Sequence, residues 1–428
     1  MKTIQMYPLK NAIKTNVSIP GSLSYSIRAL VLAAMTKGSV TIANALKSND
    51  TYTMVKVLQT LGIEIEEREN AFIVHGDISN IENKEYELNI QISGRTARTM
   101  VAFLCIVPGI KTVICDAAFK KRPIGDLVDG LKQLGADITY LKQPDYLPVK
   151  ISSSTLQEGK IQIKGNISSQ YISAIMMIAP LVGAITIEVL GEQASKPFID
   201  VTIDIMKTFG VQVSNANYQR YTIQSEQKYR LDTFFVESDA TAASYFWALA
   251  AITKSTIKIL QMNPESAQGD IRFVDLLEQM GCIVEKNFHE QWISVTGTDA
   301  LYGISVNMND IPDVVPTLAV VAAFTRGITY ITGLEHLKVK ESDRIEAPKN
   351  ELTKMGIIVE STNTSITITG AHPHGASIET YGDHRIAMAF AIAGAKVDGI
   401  EISNPDVVNK SFPKFWEKLQ EIGVEINL

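Results

Sequence analysis

Cysteine is scarce: three in 428 residues, Cys105, Cys115 and Cys282, far apart and odd in number. That excludes a disulfide framework. Each lies in an apolar run, so all three read as buried reduced thiols of a cytoplasmic protein. Long hydrophobic runs are also missing. The longest uncharged stretch, Tyr171 to Ile187 (YISAIMMIAPLVGAITI), is too short for a bilayer span and holds Pro180 and Gly183. A buried helix turning into a strand is expected there. The opening residues, MKTIQMYPLK, have no apolar core of a secretion signal. There is no basic excess: 40 Lys and Arg against 46 Asp and Glu leave a net charge of −6. That argues against a broad nucleic-acid or anionic-membrane surface, but not against a small basic pocket. No strand leads into G-x-G-x-x-G and no P-loop occurs, so a doubly wound nucleotide-binding fold is not expected. His75, His289 and His336 are isolated, His372-Pro-His374 sits in a loop, and His384 opens a helix. That pattern has no metal-ligand spacing, and neither metal nor cofactor is expected.

Apolar residues make up 46% of the chain, enough for large cores, and its length calls for more than one domain. One phrase recurs six times: an amphipathic helix, a glycine, then a short strand. Examples are VLQTLGIEIEE, GLKQLGADITY and ELTKMGIIVES. The glycines are Gly62, Gly135, Gly210, Gly281, Gly356 and Gly423, about 72 residues apart. A glycine there predicts a left-handed helix cap, since only glycine takes positive φ freely. Between these phrases lie six helices apolar on nearly every side, such as SIRALVLAAMTKG and DHRIAMAFAIAGA, each followed by a β-branched strand. A helix apolar all round is an interior helix. The fold class is therefore α/β, with six repeats, buried helices and sheets outside. Two domains of three repeats are predicted, residues 20–236 and residues 1–19 plus 237–428. The strand before Pro20 has no place in the first repeat and is expected to pair in the last domain.

The first turns of the buried helices are small and polar. Ser and Asp there read first as N-caps. That leaves Arg28, Arg98 and Arg385 unexplained beside apolar helix bodies. If the helices pack in parallel, their positive ends gather, and two facing domains would present them to one cleft suited to a multiply charged anion. Loops before the amphipathic helices add Lys120, Lys121, Arg122, Lys196, Lys338, Lys340, Arg344 and Lys410. Singly each reads as a surface charge, but the recurrence favours a shared site. Two carboxylates stand among them. Asp313 reads as an N-cap or a proton carrier, and Glu341 as an ion-pair partner or a proton carrier. Asp343 reads as a cap.

The stretches PGSLSYSIRAL (20–30), RPIGDLVDGLKQLGA (122–136), SSQYISAIMMIAP (168–180), SKPFIDVTIDIMKTFGV (195–211), GDIRFVDLLEQMG (269–281), IPDVVPTLA (311–319), KVKESDRI (338–345) and GDHRIAMAF (382–390) resemble the 5-enolpyruvylshikimate-3-phosphate (EPSP) synthase family over essentially the whole chain. The resemblance implies a two-domain inside-out α/β barrel with three repeats per domain. It implies transfer of the enolpyruvyl group of phosphoenolpyruvate (PEP) to the 5-hydroxyl of shikimate 3-phosphate, with release of phosphate. It also implies that Ser168, Ser169 and Ser195 hold the shikimate phosphate, and that Ser24 and Arg28 meet the carboxylate. Gly94, Arg122, Gln170, Arg344, Arg385 and Lys410 would meet PEP, with Gln170 also reaching the acceptor. Asp313 and Lys340 would address the reacting hydroxyl, Glu341 the methylene protons, and His384 belongs with this catalytic set. The partners implied are small molecules only, for a monomer.

The chain departs from the family at particular positions. Leu23 stands where the family has Lys, Ile27 where it has Asn, Phe198 where it has Tyr, His336 where it has Asn, and Arg95 where it has Thr. Leu23 and Ile27 share a helix face, so a polar patch has become apolar. Three readings stay open: a synthase in which Arg95 supplies the missing charge, an enolpyruvyl transferase for a less polar acceptor alcohol, or a ligand-binding paralogue without turnover. The sister family, which uses a UDP-sugar acceptor, carries a catalytic loop cysteine, whereas Cys115 reads as core.

Overall fold

The structure is a computed structural model that describes residues 2–117, 119–152 and 155–427. The chain divides into two compact units, Gly21–Val236 and a discontinuous unit of Met1–Pro20 with Glu237–Leu428. The first holds α1 (Leu23–Met35), α2 (Asn49–Thr60), α3 (Gly94–Phe103), α4 (Gly125–Gln133), α5 (Ser169–Val182) and α6 (Lys196–Thr208). The second holds α7 (Ala240–Thr253), α8 (Phe273–Gln279), α9 (Val315–Ala322), α10 (Glu346–Lys354), α11 (His384–Gly394) and α12 (Phe415–Glu421). Every residue of α1, α9 and α11 is buried. The even-numbered helices bury one face only; α6, for example, buries Pro197, Ile199, Val201, Thr202, Ile205 and Met206.

The second, third and fifth repeats run strand, buried helix, parallel strand, amphipathic helix, then an antiparallel pair; the other three take one strand of the same pattern from elsewhere in the chain. In the second repeat, Glu85–Asn89 lies parallel to Ile110–Ile114. Val149–Ile151 then pairs antiparallel with Ile110–Ile114 and with Ile138–Tyr140. The strands bury alternate residues, so one sheet face covers the helices and the other faces water. Six four-stranded sheets form in this way among the described residues. In the unit Gly21–Val236, α3 packs on α5, and α1 and α5 both pack on α6. In the other unit, α7, α9 and α11 pack on one another. Helices lie inside and sheets outside, as the repeat pattern predicts.

The six repeat glycines all have positive φ, from +81° at Gly356 to +107° at Gly281. At Gly62 and Gly423 a Cβ would meet nothing within 4 Å, so backbone conformation alone requires glycine there. The run from Tyr171 to Ile187 is the body of α5 leading into the strand Ile185–Leu190. No helix among the described residues is long and apolar enough to cross a membrane. Two strands precede Pro20, and they enter different sheets. Thr3–Met6 lies between Ile400–Ser403 and Ile426–Asn427, while Lys14–Val17 pairs with Thr256–Ile259. Thr233–Phe235 returns to pair with Gly38–Ala43 of the first repeat. All three cysteines are free, and Cys105 and Cys282 are buried. Cys115 departs from the expectation: it follows the strand Ile110–Ile114 and is half-buried.

Candidate active site

In the unit Gly21–Val236 the openings of α1, α3 and α5 converge. Ser93 and Ser168 cap α3 and α5 through their side chains, as expected of serine at those positions. Ser22 makes no such cap on α1. Arg28 is buried one turn into α1. Its Nε donates to Thr202 Oγ1 (2.8 Å), Nη1 to the Ser24 carbonyl (3.0 Å) and Nη2 to the Phe198 carbonyl (3.1 Å). Thr202 also contacts Ser173 Oγ at 2.8 Å, so the network joins α1, α5 and α6. Burial, and then the nearby Arg95 guanidinium, push Arg28 down to about 9. Arg28, Arg95, Thr99, Gln170 and Ser173 line a small cavity closed by Ile27, Met177 and Phe198.

Gln170 Oε1 accepts from Arg98 Nη1 (2.8 Å), and the Arg98 guanidinium lies 5.5 Å from the Tyr171 ring centre. Tyr171 in turn donates to the Pro123 carbonyl (2.7 Å), which holds the loop carrying Arg122 against α5. Gly94 opens α3 beneath Arg122. A Cβ there would lie 3.1 Å from Arg122 Nη1 and 3.3 Å from Phe119. Glycine therefore lets the guanidinium sit against the helix start. The Ala194 N–H bonds the Gly165 carbonyl (3.1 Å), tying the loop of Ser195 to the loop of Ser168 and Ser169. Ser195 is buried, has φ +54° and does not cap α6. A non-glycine residue in that region is a local strain of the kind found at functional sites.

The other unit gathers a network of opposite charges at the openings of α9 and α11. Arg344 is buried. Its Nε donates to Asp383 Oδ2 (2.8 Å), Nη1 to Asp313 Oδ1 (3.0 Å) and Nη2 to Glu341 Oε2 (2.9 Å). Arg385 Nη2 donates to Asp313 Oδ2 (2.7 Å), and Lys410 Nζ donates to Glu341 Oε1. Asp383 caps α11 through the Arg385 N–H (3.0 Å) and also accepts from Ser342 Oγ (2.9 Å). Burial works against the charge on Arg344, but Asp383, Glu341 and Asp313 outweigh it and raise its pKa. The same contest, with Asp313 as the main partner, raises Arg385. Burial favours protonation of Asp383, but Arg344 reverses this and holds it ionised.

Sequence reasoning placed Asp313, Glu341, Arg344, Arg385 and Lys410 in one site, and this unit brings them together. Glu341 is an ion-pair partner, one of its two expected readings, but the pairing of Asp313 and Asp383 with guanidinium groups was not expected. Asp313 is no N-cap; α9 starts from the 3-10 turn Pro312–Val314, and the carboxylate joins two guanidinium groups instead. Asp383 was left out of the candidate set because it reads as a cap, yet it has both roles. Asp343 does cap, accepting from the Ile345 and Glu346 N–H groups. His384 is buried at the start of α11. Desolvation, then the Lys410 charge, keep it neutral, with Nδ1 3.4 Å from Asp383. Lys340 is half-buried, and its charge adds to burial in lowering His336 to about 4. Asp270, also overlooked, is buried and bonded by Thr241 Oγ1; burial, then the Asp313 charge, push it up to about 7. Lys196 approaches Glu192 (3.8 Å) and the Tyr218 ring, and Lys338 donates to Asn363. His75, isolated in sequence, stands beside Glu64 and Glu66 on neighbouring strands, with Nε2 3.0 Å from Glu66.

A family model described as EPSP synthase (3-phosphoshikimate 1-carboxyvinyltransferase) matches residues 9–419. The chain belongs to the EPSP synthase family. A 3-phosphoshikimate 1-carboxyvinyltransferase of Sulfurovum sp. (strain NBC37-1) is 40% identical, over 99% of this chain and all of its own length. One from Shewanella sediminis is 38% identical with the same coverage. The solved EPSP synthase of Acinetobacter baumannii matches with a TM-score of 0.86 at 26% identity, covering both chains completely. The chain is thus a transferase of the EPSP synthase type. At its departures from the family pattern, Leu23 and Ile27 are both buried in α1, and Ile27 and Phe198 form the apolar wall beside Arg28.

Proposed function

We propose that this chain transfers the enolpyruvyl group of PEP to the 5-hydroxyl of shikimate 3-phosphate and releases inorganic phosphate. The observation that carries the residue assignment is the buried network of Arg344, Arg385, Lys410, Asp313, Glu341 and Asp383. Three cations held in place by three carboxylates form a preorganised anion site, because the guanidinium planes are fixed before a ligand arrives. PEP would take its positive partners from Arg344, Arg385 and Lys410, together with Arg122, Gln170 and the Gly94 opening of α3. Ser168, Ser169, Ser195, Ser24 and Arg28 would hold the phosphate and carboxylate of the acceptor.

In the addition step the acceptor oxygen bonds to C2 of PEP. Asp313 accepts its proton, with Lys340 stabilising the developing charge. Glu341, displaced from Arg344 and Lys410 by PEP and protonated from water, gives that proton to the methylene carbon, which becomes a methyl group. In the elimination step that carbon returns a proton to Glu341, the double bond re-forms, the C2–O bond to phosphate breaks, and the departing phosphate takes the proton that Asp313 accepted. PEP binding at Arg344 and Lys410 frees Glu341 from its ion pairs for this work. His384 is neutral and buried beside Asp383, where the Lys410 charge adds to burial in keeping it unprotonated. The three unbridged thiols support a reducing, cytoplasmic setting. One chain carries both residue sets, which supports a monomer, and a net charge of −6 supports small-molecule rather than nucleic-acid partners.

Incubation with PEP and shikimate 3-phosphate tests the reading: stoichiometric phosphate and enolpyruvyl ether are expected, and tight binding of both without release would contradict it. A second reading, an acceptor less polar than shikimate 3-phosphate, is favoured by the apolar Leu23, Ile27 and Phe198. It predicts that an acceptor-alcohol screen with PEP finds a substrate with higher kcat/KM than shikimate 3-phosphate.

A further inference from the structure

Arg28 and Arg95 come from different helices and line the same cavity, together with Thr99, Gln170 and Ser173. The rest of that wall, Ile27, Met177 and Phe198, is apolar. Apolar walls lower the local dielectric, which strengthens both the repulsion between the two cations and their pull on an anion. Burial, and then the Arg95 charge, weaken the hold of Arg28 on its proton. Arg28 uses three N–H groups on Thr202, Ser24 and Phe198, and a guanidinium has five. Five minus three leaves two N–H groups for a ligand at the cavity wall. The protein-side bonds fix the Arg28 plane without neutralising it, because all three acceptors are uncharged.

We propose that Arg95 is a substrate-binding residue that closes an anion clamp with Arg28 and receives an oxyanionic group of the acceptor, its carboxylate or its phosphate. The clamp rests on the enolpyruvyl-transfer reading above. Arg95 is half-buried at the start of α3, so it reaches the cavity while its backbone belongs to a capped helix. A guanidinium from α1 and another from α3 grip one group from two sides, which fixes its orientation as a single cation does not.

Steady-state kinetics of Arg95→Ala and Arg95→Lys test the clamp. The Ala variant is expected to raise the KM for shikimate 3-phosphate about ten- to hundredfold, the loss of a hydrogen-bonded charge, with the KM for PEP within about threefold. The Lys variant is expected to recover part of that loss. Shikimate and inorganic phosphate, used as competitors of shikimate 3-phosphate, separate the two sources. A Ki that rises in Arg95→Ala for shikimate alone assigns the carboxylate, and one that rises for phosphate alone assigns the phosphate. An unchanged KM for shikimate 3-phosphate, or a rise confined to PEP, overturns the clamp. If the unaltered chain releases no phosphate, the transfer reading fails, and calorimetric titration of shikimate 3-phosphate into both proteins still decides the clamp by the same ratio. Retention of the thermal midpoint in Arg95→Lys guards against misfolding as the cause.

Discussion

Arg344 meets three carboxylates and Asp313 meets two guanidinium groups, all buried or nearly so. Removing one member leaves an opposite charge in low dielectric without its counter-ion. Arg344→Ala is therefore expected to lose about 3–5 kcal/mol of stability, read from urea unfolding. Arg344→Lys keeps the charge but loses the planar fork, and is expected to fold better than the Ala variant while remaining poorly active. Asp270 carries a pH signature. Its pKa in the folded chain is pushed up to about 7, against about 3.9 when unfolded. Its contribution to stability is therefore fully present below pH 4 and lost as the pH rises through 7. Asp270→Asn removes that loss, so the thermal midpoint of the variant relative to the parent is expected to be higher at pH 8 than at pH 5. An equal difference at both pH values would remove Asp270 from the titrating set. His336 and His384 act in the opposite sense, losing stability as the pH falls below about 6.5, but they cancel in that comparison.

At the scale of single elements, glycine has two distinct uses. Gly62 and Gly423 cap helices at positive φ with open space around them. Gly62→Ala or Gly423→Ala is expected to cost about 1–2 kcal/mol through the backbone alone, with both KM values unchanged. Gly94 is different: a methyl group there meets Arg122 at 3.1 Å and Phe119 at 3.3 Å. Gly94→Ala is expected to leave the urea midpoint nearly unchanged and raise the KM for PEP severalfold; the opposite pattern would assign Gly94 to stability. Helix boundaries and caps were legible because they depend on neighbours in sequence: Ser93, Ser168, Asp239 and Asp383 each precede an apolar run and each caps it. The ion pairing of Glu341, three residues from Arg344, was legible; the distant pairings were not, because Asp313 finds Arg344 31 residues away and Arg385 72 residues away, and Arg28 finds Thr202 174 residues away. A cap signal at Asp313 concealed an ion pair that only packing creates.

At the scale of the whole molecule, the repeat glycines, the interior helices and the sheet class could be read from periodicity alone. Periodicity also sent the chain before Pro20 to the last domain, but it does not contain that this stretch makes two strands or which sheets they join. Thr3–Met6 and Lys14–Val17 enter two different sheets of the unit holding residues 237–428: the first fills the gap between Ile400–Ser403 and Ile426–Asn427, and the second adds an edge beside Thr256–Ile259. Deleting residues 2–17 is therefore expected to expose Ile400–Ser403 and Thr256–Ile259 and give aggregated protein, measured as the soluble fraction; a soluble, cooperative fold would contradict that role.

The central claim is that carboxylates at the helix openings hold the cations ready for PEP and are released for proton transfer when it binds. Comparing Glu341→Gln with the parent tests it most directly, by measuring the PEP dissociation constant and kcat on the same samples. Neutralising Glu341 removes a competitor for Arg344 and Lys410, so PEP is predicted to bind as tightly or more tightly, while kcat falls about 10²–10³-fold. Weaker PEP binding with kcat unchanged would mean that Glu341 is a structural ion-pair partner and would contradict the account.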